Sequence, residues 1–106
     1  DYAAYQHLEM EQQSCWIHLL RFSREKAKQE KASKETKVLH TELKTTFQGL
    51  KNIIEQPFDQ KQRKKAYQYY LEQFTKIQDK KYRSKDAKSI QTRIRNQGAN
   101  LITALK

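Results

Sequence analysis

Glycine and proline are nearly missing from this 106-residue chain, which has two of the first and one of the second. Tight sheet connections consume Gly, Pro, Asn and Asp, and turns with positive φ need Gly, so this shortage excludes a many-stranded sheet and leaves long helices. Cysteine is scarcer still. Cys15 stands alone, so no internal disulfide forms, which removes the stapled secreted scaffolds and agrees with a reducing, cytoplasmic setting. No apolar run approaches the roughly 20 residues that span a bilayer, and the first residues do not read as a signal peptide, so the expectation is a soluble chain with no membrane partner. An initiator Met is also lacking, and the sequence reads as an excised piece or a processed product that opens on Asp1.

A length near 100 residues supports one domain, and 36% apolar against 32% charged residues supports one thin core. What is abundant is positive charge. The chain carries 22 Lys and Arg against 12 Asp and Glu, a formal +10. Residues 1–56 hold nine bases against eight acids, whereas residues 57–106 hold thirteen against four, so nearly all of the excess lies in the second half.

Apolar spacing predicts an all-α antiparallel bundle, or pair of hairpins, of about four helices. Over 33–56, Leu39, Leu43, Phe47, Leu50 and Ile54 recur at helical steps on one face, widened by Val38 and Ile53. Pro57 ends that helix, since it cannot continue the hydrogen-bond ladder and restricts the residue before it. Asp59 and Gln62 form an N-cap and N3 pair for a third helix with the stripe Tyr67, Tyr70, Leu71, Phe74 and Ile77. A loop is expected over 79–83. Ser84 with Asp86 then caps a fourth helix faced by Ala87, Ile90, Ile94, Leu101 and Leu105. Gly98 interrupts that face and suits close approach of another backbone. The first 32 residues are less uniform: 2–8 reads as a short helix, 9–14 as a polar connection, and Trp16, Leu19, Leu20 and Ala27 as a further helix. The run 13–19 fits a short strand equally well.

The basic residues fall into groups. Lys61, Arg63, Lys64 and Lys65 crowd the start of the third helix; Lys80, Lys81, Arg83, Lys85 and Lys88 crowd the turn into the fourth; Arg93 and Arg95 follow. Cations so arranged attract phosphate backbones through counterion release, giving affinity without sequence choice. The same residues also fit a solvated face that keeps a small bundle soluble. Tyr69 and Tyr82 are candidates for exposed stacking contacts, while Tyr67 and Tyr70 belong to the core stripe.

The most unusual stretch runs from Gln13 through Cys15, Trp16 and His18 to Arg21. Cys15 and His18 have a C-x-x-H spacing, but a closed zinc site needs four ligands, and only His7 and His40 remain, at no recognisable spacing. From the residues alone, the preferred reading is a buried Cys and Trp with His18 hydrogen-bonded nearby.

Asp1-Tyr2-Ala3-Ala4-Tyr5, followed after a polar gap by Cys15-Trp16-Ile17-His18-Leu19-Leu20-Arg21, resembles the catalytic region of bacterial DDE transposases, particularly the insertion sequence sixty-six family and its relatives. The motif residues are Tyr2, Tyr5, Cys15, Trp16, His18 and Arg21. The resemblance implies a parent enzyme with an RNase H-like core, in which two Asp and one Glu hold two magnesium or manganese ions for DNA transposition and recombination. Residues 1–22 would form the edge of that core, and 23–106 a helical insertion ahead of the last catalytic Glu. The family pattern puts one residue between the second Asp and the first Tyr, whereas Asp1 abuts Tyr2. Asp1 therefore stands at or next to the second acidic position.

The expected function is accordingly the helical insertion of a transposase, contacting DNA or organising the complex and not catalytic by itself. Its partners would be the DNA phosphate backbone, the rest of the parent transposase and a possible second copy. The alternative is a helical interaction or self-association module that does not bind DNA. A self-contained metal-dependent nuclease is disfavoured, because the carboxylates it needs are missing.

Overall fold

No Gly or Pro lies in the first 28 residues to interrupt a helix there. In the computed structural model, which describes residues 2–57, 59–102 and 105 and leaves out the side chains of 2–9, 11, 99 and 100, α1 runs unbroken over Tyr2–Lys28. This corrects the expected connection at 9–14 and the strand alternative at 13–19. The polar run is a helix surface, with Gln13 and Ser14 in solvent, while Gln12, Trp16, Leu19 and Ser23 recur at helical steps and are buried.

Three further helices follow: α2 over Lys34–Glu55, α3 over Gln60–Asp79 and α4 over Lys85–Leu101. Their starts are set by side chains. Ser33 accepts the Thr36 N–H at the head of α2, Asp59 accepts those of Lys61 and Gln62 at the head of α3, and Ser84 accepts that of Ala87 at the head of α4. Each satisfies amide donors that the helix itself leaves unpaired, a contribution of about 1 kcal/mol per cap.

The helices alternate in direction. Trp16 meets Leu101 and Lys26 meets Asp86, so α1 and α4 are antiparallel; Arg63 meets Ile54 and Tyr70 meets Gly49, so α2 and α3 are too. α1 packs on α2 and α4, α3 packs on α4 and α2, and α2 touches α4 across the bundle. The body measures 46 × 22 × 21 Å, its long axis following the roughly 40 Å of α1.

One core runs down the middle. Trp16, Leu19, Leu39, Leu43, Leu50, Phe74, Ile90, Ile94 and Leu101 are almost wholly excluded from water. Burying each such side chain contributes roughly 1.5–3 kcal/mol. The fourth-helix stripe is as expected, and Leu105 joins it from beyond the helix end.

Three expectations are corrected. Val38 does not widen the α2 face but is 41% exposed. On α3 the buried positions are Arg63, Ala66, Tyr70, Phe74 and Ile77, whereas Leu71 is 45% exposed and Tyr67 half-buried, because the true stripe is rotated toward the residues before them. Gly98 does not mark a close backbone approach: a Cβ there would lie an ordinary 3.5 Å from the end of the Gln78 side chain.

Candidate nucleic-acid interface

The turn between α3 and α4 has main-chain polar groups that no local ladder can satisfy, and residues from other helices satisfy them. Glu35, in the first turn of α2, accepts the Arg83 N–H at 3.0 and 3.2 Å and the Ser84 N–H at 2.9 Å. Gln91 on α4 donates its amide to the carbonyls of Ile77 and Lys80, both at 2.7 Å, and of Gln78 at 3.1 Å. Ile77 and Gln78 lie in the last turn of α3 and Lys80 caps it, a region where a helix has more carbonyl acceptors than its own ladder can fill. Thr36, fully buried, joins the two N-caps: its Oγ1 lies 2.9 Å from Ser33 Oγ and 3.1 Å from Ser84 Oγ. The heads of α2 and α4 are thereby fixed side by side.

This join collects charge that the sequence keeps apart. Lys80, Lys81, Arg83, Lys85 and Lys88, all exposed, surround the α3–α4 turn. The exposed Lys31 and Lys34, at and beside the head of α2, meet them at the same end of the bundle. Lys31 and Lys34 escaped the sequence reading because they lie in the nearly neutral half; only the 48-residue contact between Glu35 and Arg83 brings them over. Glu30 and Asp79 are the exposed acids nearby in sequence, while Glu35 is occupied by the turn and Asp86 lies 3.7 Å from Lys26.

The other candidates are distributed differently. Lys61, Lys64 and Lys65 are exposed at the head of α3, about 30 Å from the basic turn along a 20-residue helix. Arg63 does not belong with them. It is only 5% exposed, and its Nη2 donates to the Ile54 carbonyl at 3.2 Å, placing its charge at the C-terminal end of α2, where a cation is favourable. The signal for this was present, since stepping the α3 stripe back from Tyr70 by four and then three reaches Ala66 and Arg63. Arg93 is exposed, and its guanidinium stacks 3.8 Å from the centre of the Phe22 ring; Arg95 is exposed on α4.

Tyr69 is 56% exposed, as expected, and its ring meets Tyr70 edge-on. Tyr82 is not available for stacking. It is 5% exposed, with the Lys80 ammonium 5.3 Å from its ring centre, and burial raises its hydroxyl pKa, helped by Glu42 and Glu35.

The motif residues separate into core and surface. Trp16 is fully buried between Phe47 and Phe74, Cys15 is half-buried, and Arg21 and His18 are exposed. The expected hydrogen-bonded histidine is instead His40, whose Nδ1 lies 2.6 Å from Ser23 Oγ. Asp1 and the side chains of Tyr2 and Tyr5 lie outside the described residues. Among the described residues no three His, Cys, Asp or Glu side chains gather as a metal site would require. No described helix is long and apolar enough to cross a membrane.

A family model described as the transposase IS66 family matches residues 1–106. No curated protein and no solved structure matches the chain.

Proposed function

This chain belongs to the transposase IS66 family, and on that premise we propose that it is the helical insertion of a bacterial DDE transposase, holding DNA through the basic end of its bundle. Membership makes it part of a transposase and implies DNA and other transposase parts as its partners. The observation that carries the DNA-holding role is the convergence of Lys31 and Lys34 with Lys80, Lys81, Arg83, Lys85 and Lys88 around one fixed turn. Exposed cations on a rigid support displace counterions from a phosphate backbone without choosing a sequence. Lys61, Lys64 and Lys65 would extend the contact at the far end of α3.

The chain contributes binding and positioning in this reading. Residues 1–22 would adjoin the RNase H-like core, residues 23–106 would project from it, and the whole would act in the cytoplasm. Cleavage and strand transfer belong to the parent enzyme with its magnesium or manganese, and no step of that chemistry is assigned to a residue of this chain.

A salt titration with a labelled DNA duplex tests the reading. Binding should weaken steeply with salt, and replacing Lys80, Lys81, Arg83, Lys85 and Lys88 by Gln should lower the slope by roughly 0.9 for each phosphate contact removed. No binding at low salt, or a slope indifferent to those replacements, would overturn it.

The exposed Met10, Ile17 and Leu71 favour a second reading, an interaction module that does not bind DNA. Sedimentation at several concentrations separates the two, since only the second expects self-association that ignores both DNA and salt.

A further inference from the structure

The groove between α1 and α2 combines an apolar floor with a rim of one charge sign. Ile17, 50% exposed, and the half-buried Leu20 form the floor; Arg21 and Arg24 of α1 and His40 and Lys44 of α2 border it. Among the described residues no carboxylate lines it. The near-neutral total of the first half conceals this, because α2 sorts its charges by face. Glu35 is turned to the α3–α4 turn, and Glu42 lines the opposite groove with Tyr69, Lys76 and Lys80.

An amphipathic helix lying in a groove presents apolar anchors at i, i+3, i+4 and i+7, with polar residues beside them. α1 offers a matching line. Met10, 70% exposed, precedes Ile17 by two helical turns, extending the apolar strip by about 10 Å. We propose that the α1–α2 groove docks an amphipathic helix whose apolar stripe covers Ile17 and Leu20 and whose flanking Asp and Glu pair with Arg21, Arg24 and Lys44. Guanidinium groups suit this role because they meet carboxylates in a bidentate fork.

The charges and the floor select this occupant over two others. A phosphate backbone satisfies the rim but brings no apolar surface to Ile17. A second copy meeting this groove with its own α1–α2 face would set Arg21, Arg24 and Lys44 against the same charges. The proposal does not depend on the DNA-holding role of the opposite helices.

The test is fluorescence anisotropy with two labelled peptides of identical composition, one with Leu at i, i+3, i+4 and i+7 flanked by Glu, the other with its Leu residues scattered around the helix. The striped peptide should bind at least about tenfold more tightly. Ile17→Asp, and separately Arg21→Glu with Arg24→Glu, should each weaken it by tenfold or more while the helical circular dichroism is retained, since these side chains are exposed. Equal binding of both peptides, or binding unaffected by these variants, overturns the proposal. Loss of DNA binding in the Arg21/Arg24 variant with no peptide binding in the parent chain would give the rim to phosphate and overturn it as well. So would a dimer that Ile17→Asp disperses in a chain that ignores the peptide. Failure of either kind leaves the Lys80–Lys88 titration untouched.

Discussion

Trp16 donates its indole N–H to the Leu101 carbonyl at 2.7 Å, across 85 positions of sequence. That carbonyl lies in the last turn of α4, where the helix ladder runs out of donors. The same indole ring packs against Phe47 at 5.3 Å and Phe74 at 5.9 Å between ring centres, so one side chain contacts all three other helices. In this chain the motif Trp is a structural tie.

Trp16→Phe keeps an aromatic ring but removes the donor and some volume. A loss of about 2–3 kcal/mol is expected, from a buried acceptor left unpaired together with a small cavity. Urea unfolding followed by circular dichroism measures it, and an unchanged midpoint would mean that the hydrogen bond contributes nothing.

Gly49 lies where α2 meets Tyr70, and a Cβ at that position would stand 2.8 Å from the phenol oxygen. Tyr70 is 6% exposed, which limits how far its ring can retreat. Gly49→Ala should therefore destabilise the parent chain although Ala is the better helix former. In a Tyr70→Phe background the obstruction is gone, and the same replacement should stabilise by about 1 kcal/mol. The reversal of sign in a double-mutant cycle is the readout.

Gly98 provides the contrast within one protein. Ordinary contact distance at Gln78 leaves room for a methyl group, so Gly98→Ala should raise stability by about 0.5–1 kcal/mol. A lower thermal midpoint would show that the backbone there needs glycine.

His40 titrates below its usual 6.5, chiefly through burial and further through Lys44 and Arg24. Its neutral form is thus favoured in the folded chain, and the unfolded chain takes up the proton first. Its contribution to stability is complete above about pH 6.5 and is lost as pH falls from there through the folded value. Urea midpoints compared between about pH 7.5 and pH 5 should show this decline, and His40→Gln should make it shallower.

The second, third and fourth helices were readable because their stripes, caps and breaks are local signals: Asp59 and Ser84 announce two of the starts, and Pro57 enforces a stop. α1 was harder. Its polar run resembles a connection when no breaker residue argues either way, and burial of Gln12 becomes intelligible only once α2 lies alongside, at Leu50 and Ile54. Of the basic groups, Lys80 to Lys88 were evident as a cluster, whereas the part taken by Lys31 and Lys34 and the internal use of Arg63 were not. Both depend on pairings between helices that no single helix encodes, although the Arg63 position follows from its stripe.

Glu35 and Gln91 give the α3–α4 turn a consequence for folding order. The turn takes the partner for its Arg83 and Ser84 N–H groups from α2 and its carbonyl partner from α4, so its shape belongs to the assembled bundle and not to residues 80–84 alone. Long-range contacts of this kind form only after the intervening chain has closed. The spatial arrangement of Lys80, Lys81 and Arg83 should then arise and disappear cooperatively with the tertiary structure. A partly unfolded chain would carry the same net charge without presenting it as a fixed array.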